Sequence, residues 1–407
     1  YTIRSSSAAS DVYKRQVMQG IPQHHYNDIT LPNCLLIAAA ENGDDVDRLS
    51  HAILQAHWRD DADHADPDTL KAVGRAGAGV NNIPVDRMSE HGIPVFNAPG
   101  ANANAVKELV LAGMLMSCRN IAQAWNFARN LEGDDGEISK QVEAGKKNFG
   151  GVELPGRTLG VIGLGAIGVE VANAAALLGM KVIGFDPGVT VERAWQLSSE
   201  VEQAIGVDDL LAKSDFVTFH VPLIDATANM INEARLKLMK PEAVILNFAR
   251  NGIVDDEAVV RALDENRLYA YICDFPSNLL KQHPRVITLP HLGASTREAE
   301  DNCAIMVADQ ISDYLENGNI KNSVNFPAVR LPRVADSYRL AVVNSNVPDM
   351  VGKIAHALGQ TDHNIVHMVN ESRGEVAYTL MDLDAEIPEA LEKTICDIDG
   401  VLSVRRL

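Results

Sequence analysis

From residue 33 to about residue 100, short apolar runs ("CLLIAAA", "HAILQA", "IPVFNA") alternate with stretches of helical spacing such as "DPDTLKAVGRAG". Strand-length apolar runs separated by helical segments predict a parallel sheet, because parallel strands need crossover helices. Next, "PGANANAVKELVLAGMLMSCRNIAQAWNFARNL" sets cap-type Asn residues before apolar positions at helical spacing, which predicts a long helix beginning near Asn104. A second α/β series runs from Leu159 to Pro290, with strands predicted at "TLGVIGLG", "KVIGFD", "FVTFHV", "AVILNFA", "YAYICDF" and "VITLP". Beyond His291, "TREAEDNCAIMVADQISDYLENG" reads as one more helix closed by a glycine. "NSVNFPAVRLPRVADS" has no clear period and reads as a linker. Residues 337–407 then follow a strand, helix, strand, strand, helix, strand order: "YRLAVVN", "MVGKIAHALGQ", "IVHMVNES", "EVAYTLMDLD", "PEALEKTICDI" and "VLSVRRL".

Composition narrows the partners. A chain of 407 residues can hold two or three domains, and 46% apolar with 22% charged residues is ordinary for a water-soluble protein. The longest apolar run, "LVLAGMLMSC", falls well short of the roughly 20 residues a membrane helix needs. A formal charge of −19 argues against a sequence-independent hold on nucleic acid and leaves room for a small anion held by a local cluster of cations. The cysteines are scattered without CxxC spacing, so neither a disulfide framework nor a metal site is expected, and a cytoplasmic setting fits. Residues 1–17 ("YTIRSSSAASDVYKRQ" and Val17) lack a Met and an apolar core. They read as a non-native leader, with the native start expected near Met18.

The most specific stretch is "LGVIGLGAIGVEVANAAALLGMKVIGFDP". Gly163, Gly165 and Gly168 form GxGxxG, with Ala166 and Ile167 opening the following helix. A bare Gly-rich turn is weak evidence, but here an apolar strand precedes it, an Ala-rich helix follows, and a second strand ends at Asp186. That acid lies about 20 residues beyond the first glycine, where it would accept hydrogen bonds from an adenosine ribose. Its charge would repel a 2′-phosphate, so NAD is expected rather than NADP.

A nicotinamide enzyme acting on an alcohol needs a base for the hydroxyl proton and a cation for the substrate's carboxylate. His291, in "ITLPHLGAST", can supply the first. Arg250, just past the strand in "AVILNFARNGIVDDEAV", can supply the second, at the strand end where open α/β sheets bind ligands. Taken singly, such an Arg more often caps or pairs, and a lone His more often packs.

Taken in series, "RAGAGVNNIPVD", "FNAPGANANAVKELVL", "GVIGLGAIG", "HVPLIDATANMIN", "LNFARNGIVDDEAV" and "LPHLGASTREAEDN" resemble the D-2-hydroxyacid dehydrogenase family. Within it they are most similar to the D-3-phosphoglycerate dehydrogenases that end in an ACT domain. The resemblance implies two Rossmann-like doubly wound parallel-sheet domains plus a C-terminal α+β βαββαβ ACT domain. Residues 31–101 and 291–328 would form a discontinuous substrate domain, residues 102–290 the NAD domain and residues 337–407 the ACT domain. It further implies that Arg250 binds the substrate's carboxylate and carbonyl and that His291 is the general acid/base. His220, Val221, Pro222, Thr227, Phe248, Ala249, Asp274 and Gly293 would join the glycine loop around NAD. The family's third catalytic member is a glutamate that orients the histidine. Here "YICDFPSNLL" has Asn278 at that place, and Asp274 is the nearby carboxylate, either partnering His291 or facing the nicotinamide.

For the substrate's second anionic group, Arg75, Ala78, Gly79 and Asn102 are candidates. "ILQAHWRDD" adds His57 and Arg59, opposed by Asp60 and Asp61. In the ACT domain, "NSNVPDMVGKIAHAL" and the next strand imply Asn346 and Asn364 as ligands of an L-serine effector. The implied reaction is NAD-dependent oxidation of D-3-phosphoglycerate to 3-phosphohydroxypyruvate, by a homodimer or homotetramer. The alternatives are a dehydrogenase for another 2-hydroxy acid such as 2-hydroxyglutarate, or an NAD-sensing corepressor on the same scaffold.

Overall fold

Residues 71–80 and 83–407 are described by a computed structural model of the chain. The strand candidates "CLLIAAA" and "HAILQA", the residues 1–17 and the pair His57 and Arg59 lie outside the described residues. The chain divides into two compact units: one combines the described residues up to Ala101 with Glu300–Leu407, and the other is Asn102–Ala299. The first unit opens with two short parallel strands, β1 (Val73–Arg75) and β2 (Val95–Asn97).

The second unit begins with helix α1 (Ala103–Cys118). The predicted single long helix breaks here, because Asn120 takes a left-handed conformation (φ 51°) and starts a separate helix at Ile121. Asparagine tolerates that backbone better than most residues. The glycine loop then links β3 (Thr158–Ile162) to helix α2 (Ala166–Leu177) and on to β4 (Lys181–Phe185). After these come β5 (Val201–Gln203), β6 (Phe216–Phe219), β7 (Ala243–Asn247), helix α3 (Asp256–Asp264), β8 (Leu268–Cys273) and β9 (Val286–Thr288). All seven strands pair in parallel in the order β5-β4-β3-β6-β7-β8-β9. Six match the apolar runs. β5 escapes sequence reading because its Val-Glu-Gln sits mostly exposed at the sheet edge, where one side of the strand needs no apolar cover. Two apolar clusters, one on each face, bury the sheet: Leu210, Phe219, Ile245 and Val259 on one, Val110, Met114, Val161 and Val171 on the other. Strand order reverses between β3 and β6, and such a switch point opens a crevice at the strands' carboxyl ends.

Helix α4 (Arg297–Asn317) returns the chain to the first unit and ends at Gly318, whose φ of 72° suits a helix stop. The C-terminal part comprises β10 (Tyr338–Ser345), α5 (Met350–Gly359), β11 (Ile365–Arg373), β12 (Val376–Leu383), α6 (Glu389–Cys396) and β13 (Val401–Arg406). It forms a four-stranded antiparallel sheet in the order β11-β12-β10-β13. The stretch read as a linker is packed: Phe326, Val329 and Leu331 join Phe96, Tyr314, Tyr378 and Leu380 in one apolar cluster. Its irregular backbone hid this, since apolar residues between prolines follow no helical or strand period. The sheet therefore shares a core with α4 and β2 inside the first unit.

Candidate active site

The second unit gathers its candidate groups at the carboxyl ends of β3, β4, β6, β7, β8 and β9. Gly163 turns with φ 93°, and a Cβ there would stand 2.5 Å from the His220 carbonyl oxygen. A Cβ on Gly168 would stand 1.9 Å from the Gly163 oxygen, so these two glycines let β3, β6 and α2 meet. Gly165 differs. Nothing lies within 4 Å of a Cβ placed there, its φ is −72°, and no side chain caps the N-terminus of α2 that it opens. The first N–H groups of an α-helix have no partner within it, so Gly165, Ala166, Ile167 and Gly168 present an open, donor-rich cradle of the kind that takes a pyrophosphate.

Asp186 closes this cradle: its two carboxylate oxygens accept from the Leu164 and Gly188 amides, each at 2.8 Å. A carboxylate has about four acceptor positions, so lone pairs remain for a diol. Across the switch point, burial pushes the His220 imidazole down to about 3, so it is neutral, with Nε2 3.1 Å from the Thr218 hydroxyl. Thr227 pins the adjoining Val221–Pro222 loop by donating to the Pro222 carbonyl at 2.6 Å and accepting from the Ile224 amide at 2.9 Å. Phe248 is buried, and its ring edge would lie 3.0 Å from a Cβ on Gly113 of α1.

Because Gly165 has open space and an ordinary φ, Gly165→Val should fold normally and lose NAD. A tenfold or greater rise in the NAD dissociation constant is expected by calorimetry, with Tm lowered by no more than a few degrees because valine is a poorer N-cap than glycine. Unaltered affinity would remove this loop from the cofactor site.

Arg250 is exposed after β7. Its Nη1 donates to the Ala249 carbonyl at 2.7 Å, and the rest of the guanidinium makes no hydrogen bond among the described residues. His291 is exposed after β9, with φ 57°, its imidazole against the Phe275 ring at 5.3 Å between centroids. The carboxylate of Asp274 is fully buried and does not partner that imidazole. Its Oδ1 accepts from the Leu292 amide at 2.8 Å and its Oδ2 from the Gly293 amide at 2.9 Å, while its carbonyl accepts from the His291 amide at 3.1 Å. This corrects the expectation that Asp274 partners the imidazole directly: a buried carboxylate is satisfied by the nearest donors, and here those are the backbone amides of the turn. Asn278, at the family's glutamate place, is exposed. Asn247, a residue that sequence reading passed over inside an apolar strand, is buried and bonds to both Ala249 and Arg250. Its only sequence signal is a polar residue at the end of a run of four apolar ones.

Asn102 stands at the N-terminus of α1 and makes no side-chain cap bond. In the first unit, Arg75 curls onto its own loop by donating to the Gly79 carbonyl, and Asn97 donates to the Ala78 carbonyl at 2.7 Å. Asn346 and Asn364 fall at opposite ends of the antiparallel sheet, since Ser345 pairs with Val376 while Ile365 pairs with Leu383. Asn346 donates to the Gly374 carbonyl at 2.9 Å.

A parallel sheet with a bare glycine cradle at its switch point, an acid closing the cradle, and a cation and an imidazole at nearby strand ends define a dinucleotide-binding α/β oxidoreductase scaffold. Residues 111–293 match the family described as D-isomer specific 2-hydroxyacid dehydrogenase, NAD binding domain. The chain is 32% identical over 349 residues to a D-3-phosphoglycerate dehydrogenase of Haemophilus influenzae, covering 83% of this chain and 81% of that protein. It is 37% identical over 325 residues to that of Methanocaldococcus jannaschii, covering 78% of this chain and 58% of that protein. An NAD-bound 3-phosphoglycerate dehydrogenase of Entamoeba histolytica matches with a TM-score of 0.50 and 30% identity over 63% of this chain and 76% of that one. The chain belongs to the D-isomer-specific 2-hydroxyacid dehydrogenase family and carries its NAD-binding domain.

Proposed function

We propose that this protein oxidises D-3-phosphoglycerate at C2 to 3-phosphohydroxypyruvate, the first step of L-serine synthesis. The observation that carries the reading is that one unit holds Arg250 and His291 at the carboxyl ends of β7 and β9 in the sheet that carries the glycine cradle, in a chain spanning 81% of a relative named for this activity. Arg250 pairs with the carboxylate and steadies the oxygen at C2 as it becomes a carbonyl. His291 accepts the C2 hydroxyl proton in oxidation and returns it in reduction. Bound NAD supplies the acceptor for the C2 hydride. Arg75 and the Ala78–Gly79 backbone, with His57 and Arg59, are the groups we assign to the phosphate end; residues 31–101 and 291–328 are the substrate domain of this reading.

No helix among the described residues is long and apolar enough to cross a membrane. We place the enzyme in the cytoplasm as a homo-oligomer, with residues 337–407 as an ACT module. A serine touching both Asn346 and Asn364 must then lie between two copies of the chain, because one copy holds them at opposite sheet ends.

The test is NADH formation by the purified protein with D-3-phosphoglycerate, D-lactate and D-2-hydroxyglutarate, with and without L-serine. Selective turnover of the phosphorylated acid is expected, lowered by millimolar serine. Turnover of the unphosphorylated acids alone would sink the substrate assignment and keep the mechanism. The absence of any turnover would favour the corepressor reading.

A further inference from the structure

We propose that Asn247 and Asp274 act as one buried yoke that sets the Arg250 turn and the His291 turn together. In this protein the yoke supplies the positioning that a carboxylate bonded to the imidazole would otherwise supply. The inference rests on Arg250 and His291 being the reacting cation and base.

Asn247 ends β7 and pairs in register with Cys273, and the ladder closes with the Asp274 amide donating to the Asn247 carbonyl at 3.1 Å. The two residues are thus one rung apart on neighbouring strands. The Asn247 side chain bonds its own turn, Oδ1 accepting from the Ala249 amide at 3.2 Å and Nδ2 donating to the Arg250 carbonyl at 3.0 Å, and also meets the buried Tyr271 hydroxyl. The Asp274 carboxylate bonds the other turn, at the amides of Leu292 and Gly293. Asn247 is 1% exposed and Asp274 0%.

Two properties make this pair a positioning device rather than two separate turns. First, a buried amide or carboxylate that loses its partners carries the full cost of desolvation, so neither turn can shift without stranding a polar group in the interior. Second, His291 holds a left-handed backbone, φ 57°, which residues with a Cβ seldom adopt. Three bonds that Asp274 receives from residues 291, 292 and 293 hold the turn in that shape. The ring itself is steadied by Phe275, which follows Asp274 directly. The root of the base and the root of the cation are therefore fixed by residues in contact through one hydrogen bond.

The experiment compares Asn247→Ala, Asp274→Asn and the double variant by amide hydrogen exchange and by steady-state kinetics. In Asp274→Asn the new amide group opposes one of the two backbone N–H donors. Each single variant is expected to speed exchange at least tenfold in both residues 250–252 and residues 291–293. Each should also lower kcat about 10²-fold, the size of loss that small misplacements bring, with NAD affinity within threefold of the parent in Asn247→Ala. The double variant should fall no more than about threefold below the worse single variant. Exchange that quickens only in the turn nearest each substitution, or losses that multiply in the double variant, would overturn the proposal. If Asn247→Ala does not fold, Asn247→Ser takes its place. The exchange data decide the yoke without any substrate, so a failure of the proposed reaction would appear separately, as absent turnover in the unsubstituted protein.

Discussion

Replacing His291 by asparagine is expected to lower kcat about 10²–10⁴-fold, the range that a positioned general acid/base contributes, while NAD affinity stays unchanged. Asparagine is the informative substitution because of the backbone. His291 sits at φ 57°, and asparagine tolerates the left-handed region several-fold better than most residues, so the Asp274 bonds to the turn persist. The variant removes the imidazole and little else. Alanine at the same place would mix loss of the base with strain. Stopped-flow measurement of the hydride step with D-3-phosphoglycerate is the check, and a loss of less than tenfold would mean that the base lies elsewhere.

Asp382→Ala is expected to destabilise the first unit by about 3–5 kcal/mol, the cost of leaving a buried charge without its partner. Arg339 and Asp382 are both 0% exposed and meet in two bonds, Nε to Oδ1 at 2.7 Å and Nη2 to Oδ2 at 2.8 Å. The guanidinium also donates to the carbonyls of Asn317 at 2.9 Å, Leu331 at 3.0 Å and Pro332 at 3.2 Å. One side chain thus ties the C-terminal end of α4, the packed segment after it and the C-terminal sheet together. Removing the carboxylate leaves those three carbonyls to hold a buried cation whose charge nothing balances. A drop in Tm of roughly 6–20 °C follows for a unit of this size. Replacing both residues by leucine and methionine should recover much of the loss, since burying an ion pair is itself costly. A drop below 2 °C in the single variant would show that the pair contributes little.

The parts of the site that sequence reading reached are those built from neighbours. Gly163, Gly165, Gly168 and Asp186 belong to one strand, turn, helix and strand, and their roles follow from what each residue type allows at its place in that unit. Arg250 and His291 were legible for a similar reason: each follows an apolar run that could only be a buried strand, and parallel sheets place ligands at such ends. The long helix after Asn102 failed at Asn120 because the break depends on one backbone angle within an otherwise periodic stretch. The segment around Phe326 failed because its burial comes from partners such as Tyr378, far along the chain.

The sequence by itself determined the fold class, the cofactor cradle and the two residues proposed to react, since these rest on period, glycine freedom and short-range hydrogen bonding. Only the tertiary structure decided what supports them. It turned the Asp274 carboxylate to the backbone of the His291 turn, set Asn247 beneath Arg250, and buried Arg339 against Asp382. The first and last of these pairings join residues 18 and 43 positions apart. Which of many polar residues meet across that separation is fixed by strand order and register, and neither is written in any local stretch of the chain.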